Sequence, residues 1–208
     1  MKFVIEIIGK SIKEGKIHAL IDTENLEIIY YEPEEMDNLV KLLNSDRVSI
    51  PELANELNLK NDQVELIIDY LIDTGRIKGI YTSDYAFVSD NALKNLIVGL
   101  VERTGKIDFH EISNELLISE DKVKQIVDEL SRAVINALVP YRRIRIADLS
   151  HEVSLPQNFT LLLLKKLIAE EKIVGSLDMV DEILVIEQIV RVPEIAQVQS
   201  EKRKTRNK

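Results

Sequence analysis

Three histidines, His18, His110 and His151, are the side chains best suited to proton transfer or metal ligation, and each lies in a different part of the chain. No two have the spacing of a metal-ligand pair. With no cysteine in the sequence, no thiolate can complete a metal site or act as nucleophile. Carboxylates recur more regularly, as Glu52, Glu111 and Asp148 in one series and Glu56, Glu115 and Glu152 in another. Paired carboxylates can perform general acid–base chemistry. Here their equal placement in a repeated block predicts helix starts for the first series and solvent-facing positions for the second. The seven glycines form neither a dinucleotide fingerprint nor a phosphate loop. No catalytic residue, cofactor or metal is expected.

The block that places these carboxylates occurs three times. Arg47-Val48-Ser49-Ile50-Pro51-Glu52-Leu53-Ala54-Asn55-Glu56-Leu57 is matched by Lys106-Ile107-Asp108-Phe109-His110-Glu111-Ile112-Ser113-Asn114-Glu115-Leu116 and by Arg143-Ile144-Arg145-Ile146-Ala147-Asp148-Leu149-Ser150-His151-Glu152-Val153. Each copy opens with a basic residue and a short stretch that reads as a strand, then starts a short helix. Ser49 to Glu52 fits a capping box, and Asp108 to Glu111 is an acidic variant of it.

Around the first copy, a helix near 35–43 precedes the block. A longer helix capped by Asn61 follows, with Val64, Ile67, Ile68, Leu71 and Ile72 on one face and Gly75 as its stop. Arg76–Tyr81 and Tyr85–Val88 then read as a hairpin around Thr82-Ser83-Asp84. Helix, strand, helix, helix, hairpin is the order of a winged helix. The third copy repeats it, with a long helix over 156–170 and a hairpin from Lys172–Gly175 to Ile183–Ile186. Val48 to Ile77 and Ile144 to Ile173 span the same distance, 29 residues each. The middle copy has helices near 92–103 and from Glu120 onward but no wing, and 131–138 continues helical toward the third copy. The fold class is therefore mostly α with small β-hairpin wings (α+β), in tandem winged-helix units.

The divisions are 1–33, a partial winged helix; 34–90, the first full one; 91–134, a wingless unit; 135–187, the third unit; and 188–208, a flexible basic tail. In the partial unit, Gly15–Leu20 and Glu27–Tyr30 imitate the wing at 75–88. Residues 3–14 supply its long helix, although Val4, Ile5, Ile7 and Ile8 also permit a strand. Half a unit leaves an apolar face that another chain, or another part of this one, must cover. Ile5, Ile8, Ile17, Leu20, Ile28 and Tyr30 are the candidate docking residues.

The charge distribution bears on the partner. The net charge is −9, yet the last eight residues hold five Lys/Arg and one Glu, which leaves residues 1–200 at −13. An acidic body repels phosphates, whose neutralisation by Lys and Arg supplies most sequence-independent DNA affinity. The first long helix carries Asp62, Glu65, Asp69 and Asp73, and the second mixes Lys122 and Lys124 with four acids. Only the third, with Gln157, Asn158, Lys165 and Lys166, could reach base edges. In the tail, Lys202, Arg203, Lys204 and Arg206 are possible nucleic-acid or membrane contacts. No apolar run reaches the length of a transmembrane segment and residues 1–6 do not read as a signal peptide, so a cytoplasmic protein is expected. Protein partners are favoured and DNA is disfavoured.

Val48-Ser49-Ile50-Pro51-Glu52-Leu53-Ala54, Ile77-Lys78-Gly79-Ile80 and Gly105-Lys106-Ile107-Asp108-Phe109-His110-Glu111-Ile112 resemble the winged-helix region of the DDRGK-domain adaptor family of the ubiquitin-fold-modifier (ufmylation) E3 ligase. The signature turn itself reads Tyr81-Thr82-Ser83-Asp84-Tyr85 here. The ligase family is similar too: a partial winged helix followed by complete ones matches Lys16–Tyr30 and Ile144–Ile186, including Leu155-Pro156-Gln157-Asn158-Phe159. These short patterns are shared with PCI-domain proteins and the endosomal-sorting complex II. The resemblance implies a scaffold-type E3 ligase component or adaptor without a catalytic cysteine. Its partner would be a second winged-helix subunit, with an E2 or a ubiquitin-like modifier as further partners. The alternatives are a winged-helix transcription regulator and an assembly subunit of the PCI or endosomal-sorting type.

Overall fold

A computed structural model describes residues 8–12, 14–22 and 27–190. Ile5 and the tail residues Lys202, Arg203, Lys204 and Arg206 lie outside the described residues. Within them, the architecture is mostly helical with three small antiparallel sheets. Two compact units divide the chain: residues 1–97 with 113–119, and residues 98–112 with 120–208. The division passes through helices α5 (Asp90–Thr104) and α6 (Phe109–Leu116).

The first unit opens with a helical segment α1 over residues 8–12, then a hairpin of β1 (Ala19–Asp22) and β2 (Glu27–Tyr30). A full winged helix follows: α2 (Pro33–Ser45), β3 (Arg47–Ser49), α3 (Ile50–Leu57), α4 (Asn61–Asp73), β4 (Gly79–Tyr81) and β5 (Ala86–Ser89). Its sheet runs β3-β5-β4, with Val48 opposite Phe87 and Ile80 opposite Val88. Ser49 caps α3 by accepting the Glu52 amide, and Gly75 at φ +70 ends the chain's path out of α4. The α4 cap differs from the sequence expectation. Asn61 is already helical, Lys60 holds the cap position, and the Gln63 side chain accepts the Lys60 amide at 2.9 Å.

The hairpin is not a separate module. Leu20 and Ile29, paired across it, share one core with Met36, Leu43, Ile50, Leu53, Ile67, Ile68, Leu71 and Phe87. Burial of this apolar surface is the main force holding hairpin to winged helix. Ile21, paired with Ile28, points to the other face, where Gly9 of α1 lies so close that a Cβ there would sit 3.9 Å from Ile21 Cδ1.

The second unit contains α7 (Glu120–Leu138), β6 (Arg143–Arg145), α8 (Ile146–Val153), α9 (Gln157–Ala169), β7 (Ile173–Asp178) and β8 (Ile183–Ile189). The sheet order β6-β8-β7 copies the first wing's, with Ile144 opposite Leu184. The expected continuation of the middle helix is present, since α7 runs unbroken for 19 residues and buries Val134, Ile135 and Leu138. Its core also holds Phe159, Leu163, Leu164, Leu167 and Ile173.

One expectation is overturned. The middle block has no strand at 106–108: among the described residues none lies between β5 and β6. The reason is pairing. β3 and β6 exist as three-residue strands because β5 and β8 bond to them, and the middle copy has no wing to do so. Asp108 still starts α6 by accepting the Glu111 amide at 3.0 Å.

Candidate functional site

His18 belongs to the first unit, and His110 and His151 to the second. His18 is exposed, with the Tyr31 ring at 6.0 Å between centroids. His110 is exposed, 3.9 Å from Glu120, and His151 is exposed in the last turn of α8. Glu56, Glu115 and Glu152 all face solvent, as their recurrence suggests. Among the described residues no group of His, Asp or Glu has metal-binding geometry.

The helix that would read DNA in the first unit, α4, is engaged on two flanks. Near its start, Glu27 of the hairpin meets Lys60 Nζ at 2.7 Å and accepts from Gln63 Nε2 at 2.7 Å. Further along, Tyr81 of the wing donates to Asp69 at 2.8 Å, and Tyr85 donates to Glu65. Burial and then the Asp69 hydrogen bond push the Tyr81 phenol's pKa up, and Glu65 does the same for Tyr85. Both phenols thus stay protonated and act as donors. The tyrosines also turn an acidic face into a satisfied network, with Tyr81 edge-on to Phe87 at 5.7 Å.

The turn between the two tyrosines is neutralised as well. Arg47 of β3 pairs with Asp84 in the turn. Thr82 and then Arg47 hold the Asp84 carboxyl below its ordinary pKa. Sequence reading placed the acids on α4 but missed Glu27, Lys60, Tyr81 and Tyr85 as their partners. The signal was present in two tyrosines bracketing the wing turn, but which helix they reach is set by tertiary packing.

In the second unit, α9 offers less to a base edge than its sequence suggests. Gln157 donates to Glu182 of the wing at 2.7 Å. Lys166 pairs with Glu170 and lies 5.7 Å over the Phe109 ring. Burial raises the Glu170 pKa, but Lys166 and Lys172 outweigh it and the net shift is downward. Asn158 and Lys165 remain exposed.

The N-terminal docking candidates separate by burial. Leu20 is only 8% exposed and lies inside the shared core, so its apolar surface is covered within the chain. Ile8, Ile17 and Ile28 are half-buried, while Tyr30 is 60% exposed.

No curated protein matches the chain, and among the described residues no helix is long and apolar enough to cross a membrane. One family does match: the PCI domain, over residues 128–188, from the second half of α7 through the β7–β8 wing. The winged helix of the second unit is accordingly PCI-like.

Proposed function

We propose that this chain is a non-catalytic tandem winged-helix scaffold, a subunit that assembles protein complexes of the PCI type. The observation that carries the reading is the closure of α4 between the Glu27 clamp and the Tyr81–Tyr85 wing contacts. The usual reading element of the fold is engaged inward and carries acids. The PCI match over 128–188 and the net −13 of residues 1–200 support the same reading.

The docking surface on the first unit comprises Tyr30 with Ile8, Ile17 and Ile28, and Ile5 extends it in sequence. An exposed tyrosine beside half-buried aliphatics is the composition of an interface anchor. Its partner is a second winged-helix subunit. Within this reading the chain is an adaptor or E3 ligase-like component of a ubiquitin-like, ufmylation-type modification system. That assignment rests on the resemblance of Val48–Ala54, Ile77–Ile80 and Leu155–Phe159. A second reading, a DNA-binding regulator, rests on Asn158 and Lys165, the α9 positions left exposed.

Affinity purification from the native source, run in parallel with wild type and Tyr30→Asp, tests the proposal. The expected result is recovery of a winged-helix chain, an E2 or a ubiquitin-like modifier by wild type and its loss with the variant. Equal recovery with both overturns the assignment of the surface, and recovery of none of these overturns the scaffold.

A further inference from the structure

The two winged helices differ at one place where their shared geometry should make them alike. Arg47 and Arg143 hold the same position at the head of the edge strand, opposite Val88 and Val185. In the first unit Asp84, two residues before Ala86 of β5, neutralises Arg47. In the second unit Asp181 holds the matching place before Ile183, yet Arg143 has no ion pair or hydrogen bond among the described residues. The Asp181 amide instead turns to the Asp178 carboxylate, at 3.3 Å.

The next alternate position repeats the contrast. Ser49 caps α3, whereas its counterpart Arg145 occupies the cap of α8 and gives it no side-chain hydrogen bond. A guanidinium at a helix N-terminus opposes the helix dipole and forgoes a cap. A residue that breaks a local rule with no local gain marks a functional position. Arg145, like Arg143, is exposed and unpaired among the described residues.

Both arginines line one hollow of about 600 Å³ with Tyr141, Ile144, Asp148 and Ile183. Tyr141 is engaged by Glu152, whose hydrogen bond raises the phenol's pKa. The two arginines are two residues apart on a strand, so their side chains leave the same face, roughly 7 Å apart along it. Among the described residues the strand is at the edge of its sheet, bonded only to β8. Ile146 donates to Glu182 and Ile186 donates to Arg142, so Arg142 and Ile146 turn their backbone toward the wing. Arg143 and Arg145, on the alternate register, turn theirs to the open edge.

We propose that this hollow docks an extended acidic peptide segment of a partner protein, bearing carboxylates two residues apart. An extended chain repeats its side chains at the strand's own spacing, so Glu-x-Glu sets one carboxylate against each guanidinium. Arg143 and Arg145 supply the charge, the β6 edge supplies main-chain pairing, and half-buried Ile183, opposite Arg145, supplies apolar contact. Asp148, which lines the hollow with the arginines, and Glu152, engaged with Tyr141, disfavour a dense polyanion such as duplex DNA while leaving room for two isolated carboxylates. The inference rests on the protein-docking reading above and adds to it a second surface and the partner's chemistry there.

The test uses the full chain and fluorescence anisotropy with a labelled 12-residue peptide alternating Glu and Thr. A Lys–Thr peptide, a peptide of the same composition with its Glu residues in one block, and a short DNA duplex serve as comparisons. Alternating Glu–Thr is expected to bind best, more weakly as salt rises from roughly 50 to 300 mM. Arg143→Gln is expected to weaken binding about tenfold. Arg145→Ser separates function from folding: it restores a cap and is expected to raise Tm by about 2–4 °C while binding falls. Arg47→Gln leaves binding unchanged. Equal binding by Arg143→Gln and wild type, no binding by wild type, or tighter binding of the duplex each overturns the proposal. None of these peptide results depends on Tyr30, so failure here is distinct from failure of the hairpin surface.

Discussion

The Tyr81 hydroxyl donates to the Asp69 carboxylate at 2.8 Å, tying the wing of the first unit to the outer face of the helix that a DNA-binding winged helix would insert into the major groove. Tyr85 makes the companion bond to Glu65. The pair explains how an acidic helix face can be stable beside a wing. Each carboxylate has a donor that burial or hydrogen bonding keeps protonated.

The double variant Tyr81→Phe, Tyr85→Phe removes these two hydroxyls and keeps the rings. A loss of stability is expected in urea unfolding, to which the Tyr81 hydrogen bond contributes about 0.5–1.5 kcal/mol. Unchanged stability would show that the wing contacts do not hold in solution.

Gly79 and Gly175 hold the same place in the two wings, two residues after Ile77 and Ile173. A Cβ at Gly79 would lie 2.4 Å from the Val88 carbonyl oxygen, and one at Gly175 would lie 2.2 Å from that of Val185. Neither backbone can move aside without breaking the hairpin. Gly79→Ala and Gly175→Ala are each expected to lose about 1–3 kcal/mol, whereas Gly99→Ala, at an exposed interior position of α5 where a Cβ meets nothing, is expected to gain about 0.5–1 kcal/mol. Thermal unfolding of the three variants side by side measures this.

Leu20 and Tyr30 lie in the same hairpin and have opposite expected phenotypes. Leu20→Ala opens a cavity in the core shared with Leu71 and Phe87, for an expected loss of about 2–5 kcal/mol. Tyr30→Asp, at an exposed site, is expected to leave Tm within about 2 °C of wild type. Similar Tm losses for both would contradict the division between core and surface drawn here.

Asp84 and Asp108 both have carboxyl pKa values held below their ordinary value. Thr82 and then Arg47 do this for Asp84; the Glu111 amide and then Lys106 do it for Asp108. A depressed folded-state pKa contributes stability above the unfolded-state value and loses it as pH falls through the folded-state value. Tm is therefore expected to hold from neutral pH to about 5 and to drop below about 4. Asp84→Asn with Asp108→Asn should flatten that drop, and an unaltered acid profile in the double variant would count against both interactions.

Much of this fold could be read from the chain because its signals are local. The 29-residue spacing, the Ser49 cap, the Gly75 stop and the absence of a breaker before Pro140 each depend on residues near one another. What was not legible depends on distant partners. The strand expected at 106–108 is missing because a three-residue strand needs a wing to bond to. Lys60 rather than Asn61 takes the α4 cap because Gln63 and Glu27 both reach that corner. The hairpin at 19–30 looks like half a unit in sequence, but Leu20 and Ile29 find their cover within the first unit. The docking candidates shared this fate: apolar spacing identified Leu20 and Tyr30 equally, and only packing distinguishes the covered one from the exposed one.

Duplex DNA binding, measured by anisotropy on the full chain at low micromolar protein across a salt series, addresses the central claim most directly. With α4 closed by Glu27, Tyr81 and Tyr85 and α9 reduced to Asn158 and Lys165, no saturable salt-dependent binding is expected. Affinity that falls linearly with the logarithm of salt concentration, and that Lys165→Glu removes, would contradict the scaffold and identify a DNA reader.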